Sequence, residues 1–119
     1  MPIRNVTTRN TLATQYGAVN THGALFTGDP GTADAATNEV TGGSPAYARK
    51  ALAWGTASSG AITATAAAFD VPAGTTVTYA GVARNGTAGT ANVGDSVAVT
   101  SQAFASQGVY TVTYTYTQL

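Results

Sequence analysis

The sequence predicts a mainly β protein, a small antiparallel β-sandwich or barrel with an extended or short-helical N-terminal segment. Short runs of strand-forming residues recur along the chain between clusters of turn residues, and the final run alternates strictly between two faces. The length of 119 residues suits a single domain. We therefore expect an N-terminal arm or short helix over residues 1–23 and a β domain over residues 24–119.

The first segment is compatible with two conformations. Residues 9–16 fit a short helix with Thr8 as its N-cap and Gly17 as its terminator. Repeated β-branched threonines lower the helix propensity of this stretch. The alternative is an arm over residues 1–8 that lies extended along a neighbouring subunit.

Strand predictions for the middle of the chain follow from local pattern. Residues 24–27 are predicted to form a short strand, and residues 28–44 are a long loop rich in Gly, Asp, Thr and Asn. Residues 47–54 alternate in a way that favours a strand, although their alanines also allow a helix.

The clearest turn signal is Pro72 followed by Gly74, which suits a type I turn. It separates two strand-like runs, residues 62–71 and residues 75–83. We therefore predict a β-hairpin here.

A further strand is predicted over residues 93–100, after a turn at Asn85-Gly86. Val93, Val97 and Val99 are spaced to share one face of it, and Gly94-Asp95 suggests a bulge or a turn.

The last strand, residues 109–117, has threonine at every second position from 111 to 117. Tyr110, Val112, Tyr114 and Tyr116 occupy the other face. Such a strand belongs inside a sheet or against a neighbouring subunit, because a bare edge recruits further strands. A sugar ring stacked on the tyrosines is a less favoured alternative. The candidate interface residues are Ile3, Val6, Tyr110, Tyr114 and Tyr116.

Charge is scarce. Charged side chains make up 8% of the chain, five basic and five acidic, whereas soluble domains average about 25%. A chain of zero net charge tends to associate, and a core of small side chains favours oligomerisation for stability. We expect a homo-oligomer, with a trimer among the symmetries considered.

The same composition argues against several functional classes. Balanced charge does not supply the basic face that nucleic-acid binding requires, and no apolar run approaches the ~20 residues of a membrane span. The absence of cysteine excludes disulfides and thiolate metal sites. The N-terminus does not resemble a secretory signal. We expect neither a nucleic acid nor a membrane as partner, and a chain that stays in the cytoplasm of the producing cell until assembly.

Two groups of residues are candidates for a chemical site. Asp29, Asp34, Asn38 and Glu39 place oxygen ligands in one loop, but their spacing does not match a calcium-binding EF-hand loop. A hydrolytic triad would need His22 beside Ser44 and Asp29, and no nucleophile-elbow motif surrounds that serine. We therefore expect no catalytic residue, no metal and no cofactor.

Three segments, read together, resemble a known family. They are residues 26–31 (FTGDPG), residues 38–50 (NEVTGGSPAYARK) and residues 69–77 (FDVPAGTTV). Their order and their amino-acid sequences are similar to those of small structural proteins of tailed-phage virions, described as tail fibre-like, minor tail or head decoration proteins. The resemblance covers roughly residues 24–83 and the final Gly-Val-Tyr-Thr-Val strand.

The resemblance implies a β-rich virion component without catalysis, assembled in the host cytoplasm. Its partners would be the major capsid protein or other virion subunits. The favoured role is capsid decoration, and the alternative is a minor tail or tail-fibre module that contacts the host surface. Residues 80–84 depart from the aromatic-rich continuation associated with that family, so no role is carried over to them.

Overall fold

The computed structural model describes residues 2–119 and confirms the predicted fold class, a small, mainly β, antiparallel sandwich with one N-terminal helix. The elements in chain order are α1 Val6–Val19, β1 His22–Phe26, β2 Lys50–Ala51, β3 Ala61–Thr63, β4 Ala67–Val71, β5 Thr75–Ala83, β6 Val93–Phe104, β7 Gly108–Val112 and β8 Thr115–Thr117.

The strands form two layers. The first is a four-stranded antiparallel sheet with the order β2-β1-β5-β6. The second contains two antiparallel pairs, β3 with β8 and β4 with β7. A hydrogen bond from the Ala64 amide to the Tyr114 carbonyl (2.9 Å) lies between these pairs, so they continue each other as one long ribbon. Helix α1 contacts β3 and β8.

The core lies between the layers and contains few large side chains. Its fully buried members include Leu25 from the first sheet and Phe69 and Val71 from the second layer. Strand β1 is buried on both faces, because Ala24 and Phe26 form a second cluster on the side away from Leu25. Loop residue Ala36 packs against that cluster.

The predicted hairpin at residues 72–74 is wrong. The turn is present, but β4 pairs with β7, whereas β5 pairs with β1 and β6. The chain therefore crosses from one layer to the other at this turn. Phe69 and Val77 are both fully buried in the same core cluster. Because the apolar faces of β4 and β5 cover each other, these two strands pack face to face from different layers and do not pair along their edges.

The helix is longer than predicted, and both of its predicted ends are wrong. It begins after Asn5, whose side-chain oxygen accepts a hydrogen bond from the Thr8 amide at 2.9 Å, so Asn5 is the N-cap. It continues through Gly17, which is buried, to Val19. The alternative of an extended arm over residues 1–8 is therefore reduced to the residues before Val6, and Met1 lies outside the described residues.

Gly17 offers a test of this packing. A Cβ atom there would lie 2.9 Å from Trp54 Cγ and 3.0 Å from Ile62 Cδ1. Helix propensity alone favours Gly17→Ala by about 1 kcal/mol, but we expect overpacking to lower the free energy of unfolding by about 1–3 kcal/mol. Urea denaturation measures this, with the exposed helix position Thr14→Ala as a control that gains a few tenths of a kcal/mol. A Gly17→Ala variant more stable than the parent would contradict the packing shown.

Two other strand predictions are partly corrected. Within residues 47–54 only Lys50–Ala51 forms a strand, and Trp54 makes an isolated bridge with Ala64. The predicted irregularity at Gly94 is confirmed, because the register with β5 shifts there. That shift separates the predicted valine face: Val93 is 6% exposed and Val97 is 63% exposed.

Candidate functional site

The most polar part of the interior is an ion pair between Glu39 and Arg49. Arg49 Nε lies 2.9 Å from Glu39 Oε2, and Arg49 Nη2 lies 2.9 Å from Glu39 Oε1. The two side chains are only 0% and 1% exposed. The remaining guanidinium hydrogens are donated to the Asn85 side-chain oxygen (2.8 Å), the Asn85 carbonyl (3.4 Å) and the Thr90 carbonyl (2.8 Å). Every donor of the arginine is thus satisfied.

The carboxylate of Glu39 is equally well satisfied. It accepts the Tyr47 hydroxyl at 2.8 Å and the Gly89 amide at 2.8 Å. The Tyr47 hydroxyl itself accepts the Leu25 amide of β1 at 2.9 Å. Burial, and then the neighbouring Glu39 carboxylate, raise the pKa of Tyr47 above its ordinary value. The cluster joins β1 to the loop that follows it and to the loop between β5 and β6, and its charged groups already have protein partners.

The four loop residues considered as cation ligands each have a protein partner. The Asp29 carboxylate accepts the Gly31 amide at 2.8 Å, and Asn38 donates its side-chain amide to the Asp29 carbonyl at 3.1 Å. Asp34 pairs with Arg84 on the surface at 2.8 Å, and Glu39 belongs to the buried cluster. Within residues 2–119, no group of three or more His, Cys, Asp or Glu side chains is placed to hold a metal ion.

The residues that a triad would need have hydrogen-bond partners other than one another. His22 begins β1, and its Nδ1 lies 2.8 Å from the Thr21 hydroxyl. The Ser44 amide is bonded instead to Gln107 at 3.3 Å. Over the described part of the chain, no hydrogen bond links His22 to Ser44 or Asp29.

A cleft of about 220 Å³ opens between the layers, where β6 and the end of the chain face each other. Tyr16 donates its hydroxyl to Asp95 Oδ2 at 3.0 Å across this cleft. Burial and then the Asp95 carboxylate raise the pKa of Tyr16. The ring of Tyr16 stacks on Tyr116 with centroids 3.7 Å apart. Because these two rings cover each other, neither offers that face to a sugar.

The structure places the predicted interface residues as follows. Ile3 is half-buried, and Val6 is 45% exposed at the start of α1. The three tyrosines lie on the inward face of the last strands: Tyr110 meets Phe104 edge-on at 6.3 Å, Tyr114 donates to the Ala24 carbonyl at 3.2 Å, and Tyr116 stacks on Tyr16. The threonine face is exposed.

The charged residues are unevenly distributed along the chain, and the structure shows where the uncharged part lies. No Asp, Glu, Lys, Arg or His occurs after Asp95. Strand β6 ends the first sheet, and β7 and β8 are each paired on one side only. We call these strands from Ser96 onward the uncharged edge. Val97 and Val109 are 63% and 60% exposed on it. The sequence shows that this stretch has no charge, but it does not show that the stretch lies at two strand edges.

Compared with family models, curated proteins and solved structures, the chain shows no match in any of the three. Among residues 2–119, the one helix is neither long nor apolar enough to cross a bilayer.

Proposed function

We propose that this chain is a non-enzymatic structural subunit of a tailed-phage virion and that it decorates the capsid surface. The observation that carries the proposal is the uncharged edge. Strand edges on monomers are often protected by charged side chains or proline. Here β7 and β8 carry neither, and Val109 on β7 and Val97 on β6 are exposed.

The buried polar cluster supports the non-enzymatic part of the proposal. A catalytic acid or base must come within hydrogen-bond reach of its substrate, whereas Glu39 and Arg49 form their hydrogen bonds within the protein itself. The most elaborate polar chemistry of the chain therefore serves to hold its loops.

The proposed mechanism is mechanical. A subunit that binds only the assembled shell stabilises it by mass action. Many copies, each contacting neighbours through small uncharged side chains, add these contacts over the whole lattice. The partners are the major capsid protein or other virion subunits, together with further copies of this chain.

Copy number in the virion tests the proposal. Purified particles of the phage that encodes the chain are analysed by gel densitometry and quantitative mass spectrometry against the shell protein. A decoration protein is expected in hundreds of copies, following icosahedral multiplicity, whereas a tail module is expected in about ten or a few tens. A low copy number would replace the capsid assignment with the tail alternative. Absence from the particle would overturn the virion assignment altogether.

A further inference from the structure

We propose that the free edge of β7 is a pairing site for β7 of a second copy of this chain, in an antiparallel arrangement about a twofold axis at Tyr110. The pairing rests on the proposed function, since it supplies one of the contacts between subunits. It unites the two β4–β7 ribbons into one four-stranded sheet with the order β4-β7-β7-β4.

The backbone of β7 is open on one side. Its five residues pair with β4 in consecutive register, from Gly108 opposite Val71 to Val112 opposite Ala67. Within the part of the chain that the structure describes, residues 108–112 make no backbone hydrogen bond to any other segment. Alternate amide and carbonyl groups along this edge are therefore available to another strand.

The free edge of β6 is less suited to pairing. Strand β6 changes register against β5 twice, and three of its residues, 99–101, lie opposite the single residue Thr78. Such bulges twist an edge away from a flat partner. Strand β7 has no register shift. The regular edge is thus β7, and the irregular edge is β6.

A second copy is the occupant that this edge fits. With no charged side chain after Asp95, the edge offers nothing to select an acidic or basic partner. An antiparallel pair of identical strands is self-complementary about a twofold axis. Full overlap of Gly108–Val112 puts the axis at its central residue, so each Val109 lies opposite Thr111 of the second copy. Both residues are β-branched and exposed on the same face, as suits a cross-strand pair.

The pairing also buries more of the opposite face of β7. Tyr110 is half-buried in the single chain, where it touches Phe104. On the axis it meets Tyr110 of the second copy and loses further exposure. A five-residue strand pair falls well short of the ~1,600 Å² of a standard stable interface. Free chains therefore pair weakly, and the twofold contact generates even-numbered oligomers and not a trimer.

Cysteine cross-linking tests the register, because the parent chain has no cysteine. Val109→Cys and Thr111→Cys chains of different tag length are mixed and oxidised. Directly opposed Cβ atoms in a sheet lie near the separation that a disulfide needs. The mixed disulfide is expected to form about tenfold faster than a homodimer of either variant. Ala68→Cys, exposed on β4 one strand inward, is the matched control.

A charge pair provides an independent check. Val109→Lys with Thr111→Lys places like charges opposite each other in the dimer, whereas Val109→Lys with Thr111→Glu places opposite charges there. Sedimentation at high protein concentration is expected to show at least a several-fold weaker dimer for the first variant than for the second. Circular dichroism checks that both variants are folded.

Three outcomes would overturn the pairing: no cross-link above the Ala68→Cys control, homodimers that form as fast as the mixed dimer, or equal association of the two charge variants. The test is separable from the virion assignment. Cross-linking in this register with no copies in the virion would remove the proposed function and keep the pairing. Virion incorporation without cross-linking would do the reverse.

Discussion

Replacing Arg49 by alanine is expected to lower the free energy of unfolding by about 3–5 kcal/mol, because it leaves the Glu39 carboxylate buried without its counter-charge. The Thr90 carbonyl loses its donor in the same step, and the Asn85 side-chain oxygen loses one of its donors. Domains of this size are stable by only about 5–15 kcal/mol. The loss is therefore a large part of the total, and urea denaturation followed by circular dichroism measures it.

Arg84→Ala is the matched control for this experiment. Arg84 also forms an ion pair, with Asp34 at 2.8 Å, but the two side chains are 36% and 64% exposed. Exposed pairs contribute about 0–1 kcal/mol, so this variant should unfold close to the parent. Similar losses in the two variants would show that the Glu39–Arg49 pair is not buried as described.

The protein is expected to be stable at neutral pH and to unfold at alkaline pH. Burial raises the pKa of Tyr16, Tyr47 and Tyr114 above the ordinary value. Carboxylates add to the effect at Tyr16 and Tyr47. In the unfolded chain these phenols ionise near pH 10. Above that pH the unfolded state binds fewer protons than the folded state, so stability is complete below about pH 10 and falls as the pH rises.

The measurement combines urea denaturation at a series of pH values from about 8 to 11 with the ultraviolet absorbance of tyrosinate. Ionisation of Tyr16, Tyr47 and Tyr114 should coincide with loss of the circular dichroism signal. Tyr114→Phe removes one of the three groups and should make the fall of stability above about pH 10 less steep. If all six tyrosines ionised while the native signal persisted, the burial of these hydroxyls would be refuted.

Both experiments depend on contacts that join distant parts of the chain. Tyr47 and Arg49 lie in residues 47–54, where local pattern favours a strand and also allows a helix, and where the structure has one short strand, Lys50–Ala51. Tyr47 and Arg49 are buried and Ala48 is exposed, but Ala51 and Ala53, which the alternation places on the same face as Tyr47, are exposed, so the pattern does not define one inward face over the whole segment. Nothing local indicates that Glu39, ten residues away, and Asn85 in another loop complete the cluster.

The helix shows a similar division. Thr8 and Gly17 are reasonable local end signals, yet the helix extends beyond both. Asn5 can cap it one turn earlier, and Gly17 is retained inside it because Trp54 and Ile62 leave no space for a Cβ atom. The reason for this glycine lies in packing from other segments, which no window of sequence contains.

Period-two alternation, turn residues and the scarcity of charge sufficed to establish a mainly β chain, most of its strand positions and the two-faced character of the last strand, since these properties depend on neighbours along the chain. Pairing partners, the layer crossing at residues 72–74 and the inward orientation of the tyrosines emerged only from the folded chain. Those features depend on which apolar faces can cover each other, and that choice is made between residues far apart in sequence.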